Sequence, residues 1–445
     1  MTPTRYRFSR PSPRRMVAAL IVACSTGARP GSAQATLPAA DLRDDFALLT
    51  TAILEAHAGA FIYDAAPAVS RMLDSTLAAI HDTTPLGFYG VVAGTLARLR
   101  DGHTRSLPSE AWMSWYADSA RVLPLRVRLL GGRGRVLGSA DPRIPAGSEL
   151  LAIGGRGIGR IGEEIRRLLP RDGYIETGTE AQITEQFEFW YYAFEARPDS
   201  LRVTIRRPAG DTTTLTVAAV PRPLFPSDTS KHRPPLHLGF LEDSTVALLR
   251  IATFAADEIT AAGADYAAFL DSSFVWIRAA RSADLILDLR GNDGGRDTYG
   301  SLLLRHLMRR PFGYYRTLET RTKRVSFWRH TNVDSSFNAK FGVGLIRTAR
   351  GTFRLPPARH QNLGPQRPAP PVFEGRVWVL TDGGTFSTAA EFCAVARSLR
   401  RATFVGQETG GTYEGNTSGT FVILTLPHSG VRLVIPLVRY ALAVE

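Results

Sequence analysis

Leu380-Thr381-Asp382-Gly383-Gly384-Thr385-Phe386-Ser387-Thr388-Ala389-Ala390-Glu391 is the stretch on which the reading of this chain turns. It continues the apolar run Val377-Trp378-Val379-Leu380, a buried strand by its length and composition, and it leads into a helical pattern over Thr388–Leu399. A strand therefore runs into Gly-Gly, and a serine opens the following helix. A serine in that place is ordinarily an N-cap. A helix N-terminus also favours negative charge, however, and so can serve chemistry that develops an anion. A second junction of the same kind lies upstream, Leu287-Asp288-Leu289-Arg290-Gly291-Asn292-Asp293-Gly294-Gly295. Glycines after a strand let the backbone turn sharply with its N–H groups facing outward. A phosphate loop would continue with Gly-Lys-Ser/Thr, which is missing here. Bare amides suffice for an oxyanion hole, so Gly294, Gly295 and the amide of Thr388 are its candidate donors, with Ser387 as candidate nucleophile.

A serine hydroxyl needs a base to take its proton. The lysines are Lys231, Lys323 and Lys340, all away from any glycine-rich turn. Among nine histidines, His103 is set in the tight turn Asp101-Gly102-His103-Thr104. That turn ends a helix capped by Thr84, opened by Pro85, and burying Phe88, Val92, Leu96 and Leu99. Such a histidine, taken singly, is more often a polar turn residue than a base. A Ser–His pair also needs an orienting acid, for which Glu391 and Glu408 are near in sequence.

Outward from these junctions the chain divides into four. Residues 1–35 read as a leader: Arg14-Arg15, an apolar run from Met16 to Cys24, then Ala33-Gln34-Ala35 as a cleavage pattern. Ile21-Val22-Ala23-Cys24 is a rival lipobox, with a lipid anchor at Cys24. Residues 36–118 show helical spacing, with Leu42, Phe46, Leu49 and Ile53, then Val69, Leu73, Leu77 and Ile80. From 121 to 222 the period becomes that of strands, as in Leu125–Leu129 and Leu201–Ile205. Residues 235–445 alternate short apolar runs (Val246–Ile251, Leu285–Leu289, Val377–Leu380, Phe421–Leu426) with helical stretches, which argues α/β layering. Arg309–Pro371 is Pro- and Arg-rich with weak periodicity and reads as a surface excursion over the site.

Composition narrows the function. A chain of 445 residues with 44% hydrophobic and 21% charged residues is globular and large enough for two or three domains. Its net charge of +13 is carried almost wholly by arginine, and six of those arginines lie in residues 1–35. They are scattered, without any zinc-finger, RNP or helix-turn-helix pattern, which argues against nucleic acid as partner. The apolar run in the leader is too short to span a bilayer, and no later stretch qualifies. With Cys24 and Cys393 the only cysteines, removal of the leader leaves one thiol and no disulfide; Cys393 reads as a buried structural residue. No His-Glu-x-x-His or carboxylate cluster has metal spacing, so neither metal nor cofactor is expected.

Asp101–Thr104, the strand Gly147-Ser148-Glu149-Leu150-Leu151-Ala152-Ile153, Leu285–Gly295, Thr385–Phe392 and Val405-Gly406-Gln407-Glu408-Thr409-Gly410-Gly411 occur in one order. That order resembles the tail-specific, C-terminal-processing serine peptidases, the tricorn core and the retinoid-binding-protein-like relatives. The resemblance implies a layered α/β core like that of crotonase and Clp proteases, an N-terminal helical domain and a PDZ-like β-rich module with Phe187–Phe194 inserted in it. It also implies peptide hydrolysis through a Ser387 acyl-enzyme, on a peptide or unfolded protein, while the leader implies export to the periplasm or outside the cell, or a lipid tether at Cys24. Where the processing branch has a lysine base, this chain has none near Thr412, so it looks like the branch in which a histidine from the N-terminal region does that work, matching His103. In relatives the strand resembling Arg432–Pro436 is followed by a further turn and segment, and an acid there helps to order the histidine. Glu445 is the candidate here, and the expectation is an open edge at that strand with self-association or weak activity. Two other readings share the pattern: a binding protein of this fold without catalysis, and a PDZ-like adaptor, for which no carboxylate-binding loop is legible.

Overall fold

The computed structural model describes residues 35–226, 234–241 and 244–445; the expected leader up to Gln34, with Cys24, lies outside them. The α/β core is a five-stranded sheet in the order Leu236–Leu241, Val246–Ile251, Asp284–Asp288, Arg376–Thr381, Thr403–Gly406. Its first pair is antiparallel and the rest are parallel. The central strands are covered on both faces, with Leu249, Leu285, Leu287 and Val379 fully buried, which is why they read as short apolar runs. Helices Tyr266–Ala279, Asp297–Arg305 and Thr388–Ser398 pack against the sheet. Both glycine junctions leave the carboxyl ends of adjacent strands, where open α/β sheets form their ligand crevices.

Helices Ala39–Ala56, Ala66–Ala78 and Pro85–Ala97 carry the expected apolar faces, and Thr84 caps the third by accepting from the Gly87 amide (3.1 Å). They do not close a core of their own. Leu42, Phe46, Leu49 and Ile53 share one cluster with Val422, Leu424, Leu433 and Ile435 of the last two strands. Asp45, fully buried on the first helix, clamps the turn of that hairpin by accepting from the amides of His428 (3.0 Å) and Ser429 (2.8 Å) and from Ser429 Oγ (2.6 Å).

Two expectations about the end of the chain are corrected. The strand Arg432–Leu442 is no edge: it pairs with Arg105–Leu107, with Gly415–Thr425 and with Tyr315–Thr320. One of its partners comes from the presumed surface excursion, in which Tyr315, Leu318, Val325 and Phe327 are buried. The alternation there spans too few residues, between prolines and arginines, to be legible as a strand.

Between these units Leu125–Leu130, Arg133–Ser139, Glu149–Ile153, Ser200–Arg206 and Thr212–Ala218 form an antiparallel sheet. Helices Ile158–Arg166, Thr177–Glu185 and Phe187–Phe194 close it over a third core of Val127, Leu150, Ile161 and Val203.

Asp45→Ala should lower stability by about 2–4 kcal/mol, because it leaves the buried Ser429 amide and hydroxyl and the part-buried His428 amide without their acceptor. A fall in denaturant midpoint at unchanged slope would show it, and an unchanged midpoint would show that the helix does not hold the hairpin.

Candidate functional site

Two side chains, buried Thr385 and half-buried Asp382, lock the glycine junctions to one another. Thr385 Oγ1 donates to the Leu289 carbonyl (2.9 Å), and Asp382 Oδ1 accepts from the amides of Gly291 (2.8 Å) and Gly384 (3.0 Å). From the other side, the Phe386 amide donates to the Asn292 carbonyl (2.9 Å), while Asn292 Nδ2 donates to the Ile251 carbonyl (2.9 Å). Ser387 lies at the resulting corner with φ 51° and ψ −127°, a conformation that costs a non-glycine residue energy and persists only where its surroundings hold it.

Although Ser387 holds the N-cap position of helix Thr388–Ser398, its hydroxyl makes no capping bond. It lies 3.0 Å from His103 Nε2 instead, across 284 residues of chain. The imidazole is stacked between Phe386 (4.5 Å between centroids) and Phe421 (6.2 Å). Burial pushes its pKa down to about 4, against an opposing pull from Asp101 and with a smaller push from Arg105. The ring is therefore neutral around pH 7 and free to accept a proton.

The turn that carries His103 is held by groups not singled out in the sequence. Asp101 Oδ1 accepts from the amides of His103 (2.9 Å) and Thr104 (3.2 Å), and its Oδ2 accepts from Thr417 Oγ1. His57, fully buried, accepts from the Gly59 amide at Nδ1 (3.0 Å) and bonds Thr104 Oγ1 through Nε2. Asp172 accepts from the Gly102 amide at Oδ1 (2.6 Å), and its pKa is pushed up to about 8 by burial and by the nearby Asp101. A ring nitrogen of His103 and one carboxylate oxygen each from Asp101 and Asp172 lie within 4.8 Å of one another, a spacing that metal ligands can also have. Nothing in the spacing of Asp172 marks it in sequence, since it lies in the β-rich module far from either junction.

Of the expected oxyanion donors, Gly294 is corrected. Its amide donates to Asn292 Oδ1 (2.9 Å), a consequence of the tight turn that Asn292 braces. Gly295 and Thr388 lie side by side, with Thr388 Oγ1 donating to the Gly295 carbonyl (3.3 Å). Gly294 has another role: a Cβ there would come 2.6 Å from Ser387 Cβ and 2.9 Å from the Thr388 amide nitrogen.

The expected orienting acids are corrected as well. Glu391, one turn past Ser387, points away from His103 and accepts from Tyr315 OH (2.7 Å) and Asn416 Nδ2 (2.8 Å). Glu408 and Glu445 are exposed at the surface, and Glu445 bonds Ser398 and Tyr413 through its backbone. Cys393 is buried in the core, which pushes its thiol pKa upward. A cleft of about 670 Å³ reaches Gly102 and Phe386, the residues just before His103 and Ser387, and lies between the α/β core and the β-rich module.

Comparison with known proteins bears on this geometry. Residues 245–435 match the model of peptidase family S41, a stretch that includes both glycine junctions and Ser387. Over residues 245–435 the chain is similar to peptidase family S41. That match supports a serine-type peptidase. Similar solved structures include mature CPAF complexed with lactacystin, 16% identical at TM-score 0.61 over 90% of each chain. A crystal structure of mature CPAF is also 16% identical at TM-score 0.61, over 90% of this chain and 89% of that one. At that identity they establish a shared fold. No curated protein matches by sequence. That family acts on peptides or proteins, and the mixed sheets and helices of this chain fit an α/β protease.

Gly294→Ala should lower activity by about 100-fold or more, because the new methyl displaces Ser387 from its partner. Turnover together with far-ultraviolet circular dichroism tests this; a folded variant with full activity would refute it. Glu391 gives a pH prediction. Burial raises its pKa from 4.5 to about 7, so the fold favours the protonated acid. That stabilisation is complete below about pH 4.5 and is lost as pH rises through 7. Unfolding free energies from denaturant titrations at pH 5 and 8 should differ by on the order of 2 kcal/mol in the wild type from this group, and by less in Glu391→Gln.

Proposed function

We propose that this chain is an S41 peptidase that cleaves peptide bonds through a Ser387 acyl-enzyme with His103, rather than a lysine, as the base. The observation that carries the reading is the 3.0 Å contact between His103 Nε2 and Ser387 Oγ, with the ring neutral and the hydroxyl not used as a cap. His103 Nε2 takes the hydroxyl proton as Oγ bonds to the scissile carbonyl carbon, and the carbonyl oxygen gains the negative charge. Gly295 and Thr388 amides, at the helix N-terminus, stabilise that oxygen. As the carbon–nitrogen bond breaks, the proton passes from His103 to the departing amine. A water then repeats the sequence against the acyl-enzyme and frees Ser387.

The rest of the chain serves this chemistry in the same reading. Residues 1–35 direct export, 36–118 form the helical unit that presents His103, 121–222 are a PDZ-like module, and 235–445 form the peptidase core. The cleft between module and core takes an extended peptide or unfolded segment. Among the described residues no helix is long and apolar enough to cross a membrane.

A fluorophosphonate should label the wild type and fail to label Ser387→Ala; equal labelling of both, or of neither, would return the chain to the binding-protein reading. His103→Ala should lower turnover on the order of a thousandfold. Because burial lowers the base's pKa to about 4, kcat/KM should hold its plateau well below pH 6.5 and fall only near that lower value. An acid limb centred at 6.5 would contradict a buried, neutral His103.

A further inference from the structure

We infer that Asp172 is the positioning residue that accepts the Nδ1 proton of His103 and so completes the catalytic group, supplied by the β-rich module. The inference rests on the Ser387–His103 reading. For Nε2 to accept the serine proton, the ring's own proton must be on Nδ1, and a buried N–H without an acceptor is costly. His103 is 8% exposed and Asp172 5%; His103 Nδ1 and Asp172 Oδ2 are both buried atoms without a hydrogen-bond partner. The two side chains that carry this unpartnered donor and acceptor meet in one cluster, in which a ring nitrogen of His103 and a carboxylate oxygen of Asp172 lie within 4.8 Å of each other.

Accounting for the other carboxylate leads to the same residue. Asp101 already accepts three hydrogen bonds, from two amides of the turn and from Thr417. Its work is to shape the backbone on which His103 stands. Asp172 has Oδ1 on the Gly102 amide, while Oδ2 has no partner at hydrogen-bond geometry and faces the backbone of Thr412. The backbone ties it to the same turn, since the Gly173 amide donates to the Arg100 carbonyl (2.9 Å). Resting enzymes often hold such contacts long and tighten them when substrate binds, and Asp172 borders the cleft where substrate would lie. The groups facing it are Asp101, Arg105, Tyr63 and His103. Once His103 carries the serine proton, its positive charge lies beside the Asp172 carboxyl oxygen, so the Nδ1–H contact strengthens in the transition state with no further proton transfer. A metal ion is the poorer occupant, because Asp101 is filled by three donors and the Arg105 guanidinium faces Asp172.

The test uses the full chain with four replacements: Asp172→Asn, Asp172→Glu, Asp172→Ala and Ser387→Ala. Asp172→Asn retains an oxygen for the Gly102 amide, and should slow fluorophosphonate labelling by about 10²–10⁴-fold at unchanged melting temperature. Asp172→Glu, or Asp172→Ala with added formate, should recover part of the rate. In the wild type inhibited by a peptide boronate, the proton spectrum should show a far-downfield Nδ1–H resonance that Asp172→Asn removes. Labelling of Asp172→Asn at the wild-type rate overturns the assignment. So does a loss that tracks unfolding and that neither glutamate nor formate restores. A wild type that does not label removes the Ser387–His103 pair itself, and this assignment with it.

Discussion

The site depends on a strand of three residues. Arg105–Leu107 pairs antiparallel with Arg432–Val434, and His103 stands two residues before the pairing begins. Because the last strand is also bound to Gly415–Thr425 and Tyr315–Thr320, the histidine turn is attached to a frame that cannot shift alone. Burial supplies the force. The N-terminal helices set Leu42, Phe46 and Ile53 against Val422, Leu433 and Ile435, and packed interiors transmit position with little give. The pairing thus brings a base from one end of the chain within 3.0 Å of a serine near the other.

The serine's own position comes from a separate device. Thr385 Oγ1, Asp382 Oδ1 and the Asn292 carbonyl bond across the two glycine junctions, so the junctions move as one. That bracing holds Ser387 at φ 51°, and the close approach of Gly294 leaves no room for any side chain larger than hydrogen. The site therefore joins two rigid bodies, a braced corner and a clamped turn, with the cleft opening beside their meeting point.

Low local polarity governs the charges. Burial holds His103 neutral, and burial raises both Asp172 and Glu391 toward or past neutrality. The two acids face different partners. Asp172 meets the histidine turn, whereas Glu391 supports the nucleophile helix from behind through Tyr315 and Asn416. A glutamate one turn from a serine is close along the chain, yet the helix aims it elsewhere.

The sequence by itself determined the elements and much of the reacting pair. Apolar runs ending in Gly-Gly announce buried strands that turn sharply, and a serine opening a helix with no lysine nearby leaves a histidine or a carboxylate as candidate base. These are local signals, set by backbone sterics and side-chain chemistry within a few residues. Resemblance of five ordered segments joined His103 to Ser387, which spacing alone could not do. Only the tertiary structure decided which amides and acids are available. Gly294 proves engaged by Asn292, Glu391 by Tyr315, and Asp172 is brought to the histidine from another unit of the fold. Likewise, the weakly patterned segment around Tyr315 becomes a strand, and Arg432–Leu442 lies inside a sheet. Partner choice across hundreds of residues is set by which surfaces can be buried together. No local period encodes that competition.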